Sequence, residues 1–175
     1  MARLTVALLT LLMLLFAPPA AAKVQLSFHS FNGSLFGGRY PHAFIVLEGT
    51  LESDGRQIAK NYGYTSVRVT PAILSGDVDG TIHVEEARYI ASTNRHFTVP
   101  INDAQYHAIV AEMARWRDAG KVYNLNTRNC IHFVARIANI VGLREEVPRR
   151  LARHPKAWLN LLARLNPQLH AAQIP

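Results

Sequence analysis

Cys130 is the single cysteine of the 175-residue chain, and it stands where a polar turn gives way to an apolar helical pattern. The polar turn ends at Asn129, and the helical pattern runs from Cys130 to Gly142. One cysteine cannot form an internal disulfide, so the fold has to depend on its hydrophobic core. A thiol in the first turn of a helix lies where the helix dipole and free N–H groups favour the reactive thiolate. The alternative is a buried cysteine that acts as a small hydrophobic residue.

The first 22 residues have the pattern of a secretory signal peptide. Arg3 precedes an apolar run over 4–16, Pro18 and Pro19 interrupt that run, and three alanines at 20–22 give a cleavage pattern. We therefore expect cleavage near Ala22 and a protein that is exported, either periplasmic or secreted. An uncleaved membrane anchor is the alternative, although the apolar run is short for a membrane span.

The remaining chain predicts an α+β fold, with strands first and helices after them. Strand patterns cover 24–28, 42–47, 57–69, 78–89 and 95–99, and the second and third look like an antiparallel hairpin. A helix that Asn102 or Asp103 can cap follows, and then the Cys130 helix. We expect one catalytic domain over 23–143 and a basic, proline-punctuated helical tail over 144–175, with an amphipathic piece at 155–165.

His42 is the strongest candidate for a partner to Cys130 among the eight histidines. It follows a glycine-rich segment and begins the most apolar strand of the chain, where a polar side chain can face a cleft. A thiol nucleophile needs an imidazole that takes and returns its proton. The alternative is a strand-end histidine that caps the preceding loop.

Two short motifs resemble those of circularly permuted papain-like cysteine enzymes of the NlpC-type superfamily, including the lecithin:retinol acyltransferase-like branch. They are Pro-His-Ala-Phe-Ile-Val-Leu at 41–47 and Asn-Cys-Ile-His-Phe-Val at 129–134. The histidine strand comes before the cysteine helix, which is the order of the permuted branch. The resemblance covers roughly 24–143 and implies an antiparallel sheet packed against the cysteine-bearing helix.

The resemblance also implies roles for individual residues. Cys130 would be the nucleophile, and His42 would be the base and then the acid. A third polar residue on the next strand would orient the imidazole. The acyltransferase branch has a second histidine there, which this chain lacks, and Asn61 is our expectation in its place. Tyr62 and Tyr64 compete with Asn61, because a shift of one residue in strand register exchanges the faces.

The implied function is an exported cysteine hydrolase or acyltransferase that acts on an amide, peptide or ester of the cell envelope. Tyr62, Tyr64 and Asn129 are the candidate substrate-binding residues, and the main-chain N–H of Cys130 is a candidate oxyanion donor. The alternative is a non-catalytic envelope- or membrane-binding module with the same fold.

The net charge of +7 is concentrated in the tail, which favours contact with an anionic membrane or envelope polymer. A solvated or packed tail is the alternative. No nucleic-acid platform is expected, since aromatic and basic residues are not interleaved. The histidines have no metal-ligand spacing, so neither a metal nor another cofactor is expected.

Overall fold

A computed structural model describes residues 24–33, 40–118 and 122–175 of the chain. The expected signal peptide at 1–22 and most of the glycine-rich segment before His42 lie outside the described residues. So does Gly120, which the sequence indicates as the end of the first helix.

The centre of the molecule is a six-stranded sheet in the order β5-β1-β2-β3-β4-β6, and its strand pairs are antiparallel. The predicted hairpin is confirmed, since β2 and β3 are antiparallel neighbours with Ile45 opposite Tyr62. The strands are β1 (Val24–Phe31), β2 (His42–Thr50), β3 (Gln57–Ser66), β4 (Val78–His83), β5 (Asn94–Ile101) and β6 (Val122–Tyr123).

In the described part of the chain four α-helices accompany the sheet, which confirms the α+β class. They are α1 (Ala87–Ile90), α2 (Asp103–Asp118), α3 (Cys130–Ile140) and α4 (Pro155–Leu165). Short 3₁₀ turns lie at Pro71–Leu74, Arg149–Leu151 and Pro167–Leu169. None of the helices in the described part of the chain has the length and apolar character that a membrane crossing needs.

Strand β2 is buried on both faces, which explains its nearly continuous apolar sequence. Ala43, Ile45 and Leu47 belong to the main core, together with the buried face of α3. Phe44 and Val46 point to the opposite face, where they pack with Tyr89 of α1 in a second, smaller cluster. The two sets alternate along the strand, as the two-residue period of a strand requires.

The predicted strand over 78–89 is too long. Strand β4 ends at His83, and Glu86 instead precedes the short helix α1. The ladder between β3 and β4 stops at the Gly63–His83 pair. Beyond that pair, the main chain of Glu85 is hydrogen-bonded by the side chain of Asn61 and does not continue the ladder. The strand predicted over 57–69 likewise ends early, at Ser66.

The segment after 144 is packed into the same core as the sheet. Helix α4 lies against β1 and β5. Its residues Trp158, Leu159 and Leu162 are buried in the main hydrophobic cluster. The indole N–H of Trp158 donates to the carbonyl of Glu146 at 2.8 Å, which fixes the preceding connection. The apolar stripe predicted over 155–165 is thus the packing face of α4.

Trp158→Ala should lower the free energy of unfolding by about 3–5 kcal/mol, since it removes a fully buried indole from this core. Trp158→Phe should lose less, because it keeps most of the apolar contact and gives up the hydrogen bond. Urea unfolding of the mature protein measures both. Equal stability of Trp158→Ala and wild type would contradict the packing of α4 described above.

Candidate active site

The cysteine helix begins at Cys130 because Asn129 caps it. The Asn129 side-chain oxygen accepts from the N–H groups of Ile131 at 2.9 Å and His132 at 3.3 Å. The His132 ring completes a capping box with Asn129. An asparagine at this position satisfies the N–H groups that a helix start leaves unpaired. The cap places the Cys130 side chain in the first turn, as the sequence predicts.

The Cys130 thiol is buried, with 5% of the residue exposed. Burial raises the pKa of this thiol to about 11, although main-chain hydrogen bonds from Ala43, Ile131 and Cys130 itself act in the opposite direction. Desolvation therefore outweighs the helix start. The thiolate expected from the helix position is absent from the resting site at neutral pH.

A cavity of about 610 Å³ connects Cys130 to the surface. His42, Glu85 and Tyr123 share its lining with Cys130. Burial raises the pKa of the Tyr123 hydroxyl, and the neighbouring Cys130 raises it further. The lining also includes a set of apolar and aromatic side chains, namely Tyr40, Val67, Val69, Ile73, Leu74 and Leu125.

The His42 imidazole lies over Gly63 of the next strand. A Cβ atom at position 63 would come within 2.3 Å of His42 Nε2, so only glycine leaves room for the ring. The ring also stacks against Phe44, with centroids 6.0 Å apart and planes at 13°. Burial lowers the pKa of His42 to about 4, and the neighbouring His83 lowers it further. The imidazole is therefore neutral at pH 7.

Glu85 brings a carboxylate to this imidazole. Its Oε1 lies 3.8 Å from His42 Nε2, and its Oε2 lies 3.5 Å from Nε2 of the half-exposed His83. Nε2 of His42 is buried and has no hydrogen-bond partner among the described residues. Asn61 holds Glu85 by its main chain: its amide donates to the Glu85 carbonyl at 3.0 Å, and the Glu85 N–H donates to its oxygen at 2.6 Å.

The structure brings Cys130 and His42 to one cavity, but they are not joined at rest. The hydrogen bonds to the sulfur come from main-chain N–H groups, and none within the described chain links Cys130 to His42. Cys130 packs on the Ala43 face of β2, where the Ala43 main chain donates to its sulfur, whereas the His42 ring stacks on Phe44 of the opposite face. The two side chains therefore reach the cavity from different faces of the strand.

The other predicted site residues lie in different places. Tyr64 is fully buried and donates to the carbonyl of Val122 at 2.6 Å, and Tyr62 packs against the core. Neither tyrosine is among the described residues that line the cavity. Asn129 lines the cavity, but its amide is engaged in the cap and in hydrogen bonds to the carbonyls of Leu125 and Ala152. Asn61 contacts Glu85, as described above.

Glu85 and Gly63 were missed from the sequence. The strand predicted over 78–89 was too long and included Glu85. The prediction therefore missed the turn after His83 that places Glu85 at the cavity. The polar group His83, Glu85 and Glu86 at the end of that segment was the available indication. Gly63 lay inside the strand segment that supplied Asn61, and a glycine within a strand often marks a close approach of another group.

The described residues contain no group of three or more His, Cys, Asp or Glu side chains arranged to bind a metal ion. Comparisons of the chain with protein-family models, with curated proteins and with solved structures find no match.

Alkylation of Cys130 should be slow at pH 7 and should accelerate about tenfold per pH unit up to about pH 10, because only the thiolate reacts and the thiol pKa is about 11. Iodoacetamide labelling read by intact mass measures the rate. Unfolding the protein in urea should move the profile to an ordinary thiol pKa of roughly 8.5. Cys130→Ser should not label, and a plateau in the folded protein near pH 7 would contradict the neutral resting thiol.

Proposed function

We propose that this protein is a thiol hydrolase or acyltransferase with a permuted papain-like fold, in which Cys130 is the nucleophile and His42 the base. The observation that carries the proposal is the shared cavity: a thiol at a helix start and an imidazole at a strand start line the same 610 Å³ space. The order of histidine strand and cysteine helix, together with the antiparallel sheet, supports the fold assignment.

The proposed reaction has two halves. His42 takes the Cys130 proton as the sulfur attacks the substrate carbonyl carbon, and the imidazolium then returns that proton to the departing amine or alcohol. Water or an acceptor hydroxyl next gives its proton to His42 and attacks the thioester carbon. The C–S bond then breaks, the acyl group leaves on the attacking oxygen, and His42 returns the proton to the sulfur, which restores the thiol. The main-chain N–H of Cys130 is our candidate donor to the carbonyl oxygen during both attacks.

The resting site has to be activated by substrate. The thiol and the imidazole are both neutral at pH 7, as their pKa values of about 11 and about 4 require. Formation of a buried ion pair is unfavourable until another group stabilises the developing charge. The oxygen of the substrate carbonyl, placed at the start of α3, can take up that negative charge. We therefore expect proton transfer to accompany the attack of the sulfur and not to precede it.

The apolar rim supports a substrate with a hydrocarbon group. Val67, Val69 and Leu74 line the cavity and are 54%, 50% and 70% exposed. Tyr40 on the same lining is 61% exposed. Large apolar side chains that are exposed together around a cavity are typical of a binding site. An ester or amide with an apolar acyl group of several carbons fits this rim, and the cell envelope remains our proposed source.

A non-catalytic module with the same fold is the second candidate. The observation in its favour is the resting chemistry, since a buried neutral thiol not bonded to its imidazole is also what a structural cysteine shows. Such a module would bind an envelope component in the same cavity, and the basic residues after 144 would contact an anionic polymer or membrane.

The mature protein, residues 23–175, should form a thioester on Cys130 when it is mixed with p-nitrophenyl octanoate. Intact mass should show one octanoyl group per chain. His42→Ala should acylate about 10²- to 10⁴-fold more slowly, since it loses the general base. The octanoyl ester should react at least about tenfold faster than the acetyl ester, because two buried methylenes contribute roughly 1.6 kcal/mol.

Matched variants distinguish the binding of the acyl chain by the apolar rim from the reaction at Cys130. Leu74→Ser should reduce the preference for octanoyl over acetyl, whereas Val84→Ser should leave it unchanged, because Val84 is 59% exposed but outside the cavity lining. Cys130→Ala should give no adduct. Absence of any acyl adduct in wild type, across ester and amide panels, would reject the enzyme and leave the binding module.

A further inference from the structure

The carboxylate of Glu85 is held between two imidazoles, one inside the site and one outside it. Its side chain is 12% exposed, like that of His42, whereas the His83 side chain is 51% exposed. The inner oxygen faces His42 Nε2 and the outer oxygen faces His83 Nε2. A buried carboxylate beside a buried imidazole is the arrangement that controls which ring nitrogen carries the proton.

Asn61 fixes the position of Glu85 with side-chain hydrogen bonds that replace those of a strand pair. The ladder pairs Gly63 with His83, so the same antiparallel register continued by two residues would place 61 opposite 85. The side-chain amide of Asn61 takes the place of that main-chain pair, with one donated and one accepted hydrogen bond to Glu85. Asn61 is buried, with 9% of the residue exposed, and its two hydrogen bonds hold the main chain of Glu85 beside β3.

Strand β3 also determines how closely the His42 ring can approach the sheet. Gly63 lies two residues from Asn61 along β3, and its missing Cβ is what allows His42 Nε2 to approach the strand. Nε2 is therefore enclosed by β3 on one side and faces the Glu85 carboxylate at 3.8 Å. The second ring nitrogen, Nδ1, is the atom that would accept the Cys130 proton in the proposed reaction.

We infer that Glu85 is a positioning residue for His42, that Asn61 sets it in place through its main chain, and that the carboxylate keeps the ring proton on Nε2. An ionised carboxylate only accepts hydrogen bonds, so it favours the tautomer with N–H on Nε2 and a lone pair on Nδ1. That lone pair is what a base needs to take the Cys130 proton. The catalytic part of this inference rests on the proposed function, whereas the tautomer does not.

The separation between Glu85 Oε1 and His42 Nε2 is longer than a hydrogen bond in the resting site. His42 becomes an imidazolium when it takes the thiol proton, and the carboxylate then faces a full positive charge. We expect the contact to shorten at that point, since catalytic hydrogen bonds are often long before substrate binds. Glu85 thus stabilises the charged form of His42, which burial otherwise disfavours.

Nitrogen-15 NMR of the histidine rings at pH 7 tests the tautomer directly. Wild type should show His42 with its proton on Nε2, and the His42→Ala spectrum assigns the signal among the eight histidines. Glu85→Gln should move the proton towards Nδ1, because an amide N–H can donate to Nε2. Glu86→Gln is the matched control, since Glu86 is exposed and paired with Arg88. Identical His42 tautomers in all three proteins would overturn the inference.

Acylation kinetics test the positioning role in catalysis. Glu85→Gln should lower the rate of octanoyl transfer to Cys130 by about 10²- to 10⁴-fold, with little change in KM, because the wrong tautomer cannot take the proton. Glu86→Gln should stay within about twofold of wild type. Equal rates for Glu85→Gln and Glu86→Gln would remove Glu85 from the mechanism. A thermal melt of each variant confirms that both are folded.

Asn61→Ala distinguishes the role of the Asn61 hydrogen bonds from the role of the Glu85 carboxylate. It keeps Glu85 but releases its main chain, so His42 should show a mixture of tautomers and an intermediate rate of acylation. A wild-type tautomer in Asn61→Ala would exclude the anchoring role. If wild type itself forms no acyl adduct, the proposed function fails while the NMR comparison still decides whether Glu85 controls the His42 ring.

Discussion

The arrangement of the whole site depends on the hydrogen bonds that one buried asparagine side chain makes. Asn129, of which 2% is exposed, caps α3 with its side-chain oxygen and donates through its amide to the carbonyls of Leu125 and Ala152. It therefore ties the cysteine helix to the turn before it and to the segment that leads into α4. An unpaired amide at this depth would be costly, so the three elements are held together as a unit. Cys130 is the residue that this unit delivers to the cavity.

Burial gives the site its chemical character. It keeps the thiol protonated and the imidazole neutral, which opposes the effect of the helix start. In the proposed mechanism two partners of opposite kind offset this effect of burial: N–H groups at the start of α3 stabilise negative charge, and the Glu85 carboxylate stabilises positive charge. In the proposed function, the site is unreactive towards solvent and becomes reactive where a substrate carbonyl group fills it.

Sequence patterns predicted the local features of the molecule and missed those that depend on register. The helix start at Cys130 and the helix over 155–165 follow from capping residues, prolines and apolar spacing, and both are observed. The sequence does not determine which side chains of β3 point to each face of the sheet, because a shift of one residue in register exchanges the faces of Asn61 and Tyr62. The observed register places Asn61 opposite Val46 and turns Tyr64 into the core. Glu85 reaches His42 only through that register, so a single segment could not reveal it.

The most direct test of the Cys130–His42 pair is a crystal structure of the mature protein with octanal, an aldehyde that a working thiol nucleophile adds to reversibly. We expect a covalent bond from Cys130 Sγ to the aldehyde carbon, with the new oxygen near the Cys130 N–H. His42 Nδ1 should lie beside that group, and the hydrocarbon should run along Val67 and Leu74. An unmodified Cys130 with the cavity occupied by octanal alone would contradict the account and indicate a binding module.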